Sequence, residues 1–267
     1  MKRTKYISLV RAGILDGLQF RLSAVLTFVC NLLYLLLIYY LWKAIYASAG
    51  SEIVNGMTFS DTMIYLVFAS ALFQFMEMWL VWEMGRKIQD GTIVMDLLKP
   101  MPYRTYLFFS LSGGYVVNFF TTFLPTAVVV YFVSGGRIHL GINLLWFVAS
   151  TLLSTIIHYN INFMVGTICM YTESIWGINI MKEVVVGVLS GATIPLVFFP
   201  ETLKRIVMCL PFQAIIHAPL ELLLHQEYGA VQVAEILGMQ IVWLIVLHLL
   251  AGLFFKVSVR RITVNGG

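Results

Sequence analysis

Charge is what this sequence has least of: Asp, Glu, Lys and Arg make up 11% of its 267 residues, against roughly 25% in a soluble domain. That level cannot cover a water-facing surface, so a soluble globular domain is excluded. Cysteine is scarce as well. Cys30 and Cys169 fall inside apolar runs and Cys209 lies beyond them, so no internal disulfide and no Cys-rich zinc site is expected. The chain contains no G-x-x-x-x-G-K-[ST] phosphate loop, no H-E-x-x-H and no G-x-S-x-G elbow, which removes the usual parts of nucleotide hydrolysis, zinc proteolysis and serine hydrolysis. The five histidines, at 139, 158, 217, 225 and 248, are scattered. We assign no catalytic residue and no metal ligand.

What is there is apolar: 60% of the residues are hydrophobic, gathered in runs near 22–47, 62–83, 106–133, 143–171, 177–199 and 234–256. A bilayer core about 30 Å thick takes about 20 residues of helix, and each run meets that length. Stretches such as NLLYLLLIYYLW (31–42) do not alternate apolar with polar, which rules out a transmembrane β-barrel. The expectation is an all-α membrane protein with six transmembrane helices forming one domain. Residues 4–21 are expected to form an amphipathic interfacial helix before the first span, with Tyr6, Leu9, Val10, Ile14 and Leu18 on one side. The sequence ASA (47–49) after the first run imitates a cleavage site, but an apolar stretch of more than 20 residues reads as an anchor.

Lys and Arg near span ends are retained in the cytoplasm. With the N-terminus inside, Lys2, Arg3, Lys5, Arg11, Arg21, Arg86, Lys87, Lys99, Arg104, Lys182, Lys256, Arg260 and Arg261 fall there, thirteen of the 17 basic residues. Lys43, Arg137, Lys204 and Arg205 fall outside. Both termini and the charged stretch GRKIQDGTIVMDLLKPMPYR (85–104) are therefore expected in the cytoplasm. The net charge of +4 is this bias, and no nucleic-acid partner is read from it. Carboxylates near the spans, Glu77, Glu83 and Glu173, suit interfacial anchors.

Polar residues inside the spans form two stripes. Ser154, His158, Asn162 and Gly166 recur every four positions in the fourth span, and Asn118, Thr121, Thr122 and Pro125 are spaced similarly in the third. Asn118, Thr122, Ser154, His158 and Asn162 either line a translocation pathway or hydrogen-bond helix to helix. The fifth span holds Gly187 and Gly191 at close-contact spacing, and Gly191, Pro195 and Pro200 are expected to bend and then stop it. Residues 200–233 are too polar for a span yet include IVMCLPFQAII. They read as short outer-surface or re-entrant helices, as a cap or as a gate.

The stretches LQFR (18–21), LWKAIY (41–46), IQDGTIVMDLLKPM (88–101), LSGATIPLVFFP (189–200) and LPF (210–212), in that order around six spans, resemble the permease subunit of a type-2 ATP-binding-cassette exporter. The resemblance covers nearly the whole chain. It implies a membrane subunit in the bacterial cytoplasmic membrane that pairs with a second permease copy, identical or related, and with separate ATPase subunits holding ATP and Mg. It implies export of a lipid, peptide or drug-like substrate. It also makes residues 85–104 the loop whose coupling helix docks on the ATPase, formed by Asp90, Gly91, Ile93, Val94, Asp96, Leu97, Leu98 and Lys99. Asp90 and Gly91 suit a turn, the next residues suit about two helical turns offering Ile93, Val94, Leu97 and Leu98 as apolar contacts, and Lys99 with Pro100 ends them. The rival class is a secondary transporter or channel, which calls for broken helices in matching halves; a bend is expected in the fifth span and none in the second.

Overall fold

The computed structural model describes residues 2–19, 21–134, 141–172, 174–225 and 228–261. Expectations resting on Phe20, Arg137, His139, Glu173 and Glu227 lie outside the described residues, as do those resting on the side chains of Lys2, Arg3, Arg21 and Arg261. Helix dominates because, away from water, a chain satisfies every backbone N–H and C=O within one segment most simply as a helix.

Helix α1 (Lys2–Gln19) leads into α2 (Arg21–Ala49). A two-stranded hairpin follows, β1 (Ile53–Val54) against β2 (Met57–Thr58), in register Ile53↔Thr58 and Val54↔Met57. Its turn residues Asn55 and Gly56 both have positive φ, the type I′ geometry that Asn-Gly favours. Thr58 and Asp61 form a reciprocal capping box that starts α3 (Phe59–Met76), followed by α4 (Leu80–Gln89) and the five-residue α5 (Ile93–Leu97). The chain returns through α6 (Tyr103–Asn118) and α7 (Leu124–Val133), joined by one π-helical turn at Phe119–Phe123. Pro125 has no N–H to give and so widens that turn. Then come α8 (Asn143–Ile168), α9 (Ile175–Leu189), α10 (Glu201–Met208), α11 (His217–Leu224) and α12 (Ala230–Ser258). The bundle thus has a hairpin end and a basic end, the latter carrying α5 and Lys256.

Among the described residues, five helical segments are long and apolar enough to cross a membrane: Val29–Ala49, Phe59–Gln89, Tyr103–Val133, Asn143–Ile168 and Ala230–Ser258. The fifth expected span, 177–199, is not one helix. Helix α9 has 15 residues, about 22 Å, and stops at Leu189 instead of bending at Pro195. Gly191 has φ +84°, so it leaves the helix and cannot share a contact face with Gly187. Pro195 opens a 3-10 turn and Pro200 caps α10. A Cβ at Gly191 would stand 2.7 Å from Tyr65 Oη and 3.3 Å from Leu196 Cγ. Gly191→Ala should therefore cost about 1–3 kcal/mol in stability, measured as a fall in the thermal midpoint of the purified chain; an unchanged midpoint would contradict the fit.

The second span, expected as one continuous helix, is interrupted. Glu77 adopts an extended conformation (ψ 127°) between α3 and α4, without proline or glycine at the break.

Helix α1 packs along α6. Tyr6 packs on Phe109 with ring centroids 4.7 Å apart and the rings tilted at 41°, Gly13 and Gly17 face Ser110, Gly113 and Val117, and a Cβ on Gly113 would overlap the backbone of Gly13 and Ile14. The small-residue spacing that brings helices into close contact is thus Gly13 with Gly17. Leu18, expected on the apolar side of this helix, is exposed. Residues 211–224 sink into the bundle, where Ala214, Ile215, Ile216 and Leu220 are fully buried and α11 packs on α8 and α3.

Candidate functional site

At the basic end, α5 is braced from three sides. Gly91, at φ +71°, turns the chain after Asp90 caps α4. Ile93 is fully buried among Leu80, Met84, Tyr103 and Leu107, with Val94 and Leu97 packed on the same cluster. These three residues face inward, which corrects the expectation that they offer outward contacts. The helix is also one turn long rather than two. The apolar side chains it does present are Met95 and Leu98, 69% and 76% exposed.

Asp96 is buried and accepts from Lys87 Nζ at 2.8 Å and Lys99 Nζ at 2.6 Å. Burial alone would raise its pKa, but those two hydrogen bonds hold the carboxyl below its ordinary value. Lys87 also pairs with Glu83 at 2.8 Å, and Lys99 lies 3.6 Å over the Tyr106 ring. One carboxylate therefore ties α4, α5 and the segment leading into α6 together, so displacement of α5 is passed to the helices on both sides of it.

A second cluster surrounds the interruption at Glu77. Breaking the helix strips partners from the last carbonyls of α3. Gln74 O accepts from Glu77 N–H at 3.2 Å and from Asn118 Nδ2 at 3.2 Å. Met76 O accepts from His158 Nδ1 at 3.0 Å, which fixes the tautomer with its proton on Nδ1. Asn162 Nδ2 donates to His158 O, and Asn162 Oδ1 accepts from Lys182 Nζ at 3.1 Å. Lys182, expected in the cytoplasm, is buried inside the bundle, 3.7 Å from Glu77 and 3.9 Å from Glu183, while Glu183 also accepts from Asn179. Burial of an ammonium is tolerated here because anions and an amide oxygen surround it. Glu77 is thus an ion-pair partner and not a free interfacial anchor. Sequence order hid this because Lys182 sits 105 positions from Glu77, although a lysine within an apolar run is itself a signal.

The remaining stripe residues also have partners within the chain. Ser154 Oγ donates to Ser150 O and Ala214 O at 2.9 and 2.7 Å, and Gln240 Nε2 reaches Ser154 Oγ and Ala214 O, so α8, α12 and the turn at 211–214 are tied together. Thr122 lies in the π-helical turn, its carbonyl accepting from Thr126 Oγ1. Arg104 reaches into the bundle to Asn160 and to His248 O.

A cavity of about 390 Å³ opens between α2, α3, α4 and α9, lined by Tyr34, Ser70, Phe73, Gln74, Glu77, Trp79, Trp82, Glu183, Gly187, Ala192 and Thr193. None of the five stripe residues proposed for a pathway lines it. Toward the hairpin end, Glu221 meets His225 Nδ1 at 3.0 Å, His217 Nε2 at 3.5 Å and Tyr228 Oη at 2.5 Å. Burial would push Glu221 up, yet the hydrogen bonds from His225 and Tyr228, with His217 alongside, hold it at about 2, a structural clamp for the end of α11. Among the described residues, no group of three or more His, Cys, Asp and Glu has the arrangement of a metal site.

A family model described as "ABC-2 family transporter protein" matches residues 32–266. No curated protein matches the chain.

Proposed function

The chain belongs to the ABC-2 family of transporter proteins, and on that premise we propose that it is the membrane subunit of an exporter driven by separate ATPase subunits. As a multi-pass membrane protein it crosses the bacterial cytoplasmic membrane six times, the sixth crossing completed by α9 with the irregular segment that follows. Its termini and basic end face the cytoplasm. ATP and Mg bind on the partner subunits, the second permease is an identical or related copy, and the cargo is a lipid, peptide or drug-like molecule.

The observation that supports this reading is α5: its inner face is locked into the bundle while Met95 and Leu98 project from it. Exposed apolar residues on a braced element are the features of a small docking surface. When the ATPases close, such an element moves as a rigid body with α4 and α6. Asn118, His158 and Asn162 we assign to holding the interrupted second span, because their hydrogen bonds end on its carbonyls and on Lys182. The cavity beside Glu77 is then the stretch of pathway that one protomer provides.

A secondary transporter has one observation in its favour, since interruptions now occur in both the second and the fifth spans. Purification of the tagged chain in mild detergent, followed by mass spectrometry of what accompanies it, separates the readings. An ATPase subunit in stoichiometric amount is the expected result. A chain that emerges alone from several mild detergents, and transports on a proton gradient without ATP, overturns it.

A further inference from the structure

The cavity between α2, α3, α4 and α9 has an unusual charge balance. Among the described residues, two carboxylates, Glu77 and Glu183, line it, and no Lys, Arg or His does. The cation beside it among those residues is Lys182, which is 2% exposed at its side chain and turned toward Asn162 Oδ1 on α8, whereas the side chains of Glu77 and Glu183 are 30% and 40% exposed. Two acidic side chains against one ammonium make the wall of the cavity acidic on balance.

The rest of the wall is aromatic and apolar. Trp79, Trp82, Tyr34 and Phe73 contribute their rings, and Trp79, 70% exposed, sits in the interruption beside Glu77. Aromatic faces attract cations through their quadrupole, and a carboxylate removed from bulk water attracts a counter-charge more strongly than it does in solution. An anion would meet uncompensated repulsion there. A neutral apolar ligand would leave the acidic balance of the wall uncompensated, and a small hydrated metal ion would leave the aromatic rings unused. The interrupted helix suits such a site, because it places Glu77 and Trp79 two residues apart on a backbone that is no longer helical, so both reach one space.

We infer that this cavity binds a monovalent organic cation with an aromatic or bulky apolar body, its charge between Glu77 and Glu183 and its body against Trp79 and Trp82. As the class of cargo, this rests on the exporter reading. As a binding site, it is tested without it.

The test is equilibrium dialysis of tetraphenylphosphonium against the purified chain in lipid nanodiscs, with whatever subunits accompany it, in the absence of nucleotide. Binding to empty nanodiscs is subtracted, and tetraphenylborate serves as a probe of the same shape and opposite charge. Saturable binding of the phosphonium is expected, with the borate at least about tenfold weaker. Glu183→Gln, a near-isosteric change at the more exposed carboxylate, should weaken the phosphonium about tenfold, and Trp79→Ala should weaken it several-fold, with unfolding midpoints close to that of the parent. Equal saturable binding of the two probes, or phosphonium affinity unchanged in a folded Glu183→Gln chain, overturns the inference. Neither result depends on an ATPase partner, so a chain that binds the phosphonium but purifies without one would sink the exporter reading and leave the site standing.

Discussion

Replacing Lys182 with methionine should lower the stability of the membrane domain by about 3–5 kcal/mol, the usual cost of removing one member of a buried ion pair. The methionine fills a similar volume, so the loss is electrostatic. Glu77 and Glu183 would face each other with no cation between them, and Asn162 Oδ1 would lose its donor. Because Asn162 in turn holds the carbonyl of His158, and His158 caps Met76 O, the damage should spread to the interruption of the second span. Denaturant or thermal unfolding of the purified variant measures the loss. Combining Lys182→Met with Glu77→Gln should restore a good part of it, since that pair removes one charge of each sign. A double variant as unstable as Lys182→Met alone, or a stable single variant, would show that the cluster does not hold the break.

The second large effect is functional and should leave the fold alone. Met95→Asp with Leu98→Asp removes two exposed apolar side chains from α5 and adds two charges. Burial of a side chain of that size contributes about 1.5–3 kcal/mol, so affinity for the ATPase should fall at least about a hundredfold, and the subunit should no longer co-purify. The unfolding midpoint should stay near the parent value, because neither residue touches the core. Ile93→Asp is the contrasting variant: Ile93 is fully buried, so it should destabilise the basic end itself. If the ATPase stays bound to the double variant with its activity unchanged, docking lies elsewhere on the protein.

Much of the architecture was legible in the residues. Runs of 20 or more apolar residues have one solution in a bilayer, and the helices α2, α6 with α7, α8 and α12 appear within a few residues of the runs that predicted them. The turn at Asp90 and Gly91 was also legible, since a positive φ suits glycine. The candidate site was legible only in pieces. His158, Asn118 and Asn162 stood out as polar residues in apolar helices, but what they hydrogen-bond lies 44 and 82 positions away in one case each, and periodicity within a helix carries no information about that distance. The inward turn of Ile93, Val94 and Leu97 was hidden for the same reason: a one-turn helix has no apolar face of its own until Leu80, Met84 and Tyr103 surround it.

The sequence by itself determined that this chain lives in a membrane, how its helices follow one another, which end is basic and which loop is charged, because each of these depends on neighbours in the chain or on transfer from water to lipid. Tertiary structure alone decided where the second span breaks, that the fifth stops short, and that Lys182 is buried between Glu77 and Glu183. A break without proline or glycine is stable only when groups from other helices donate hydrogen bonds to the freed carbonyls, and a buried ammonium only when distant carboxylates reach it; both conditions are met in space, by residues that the order of the chain keeps apart.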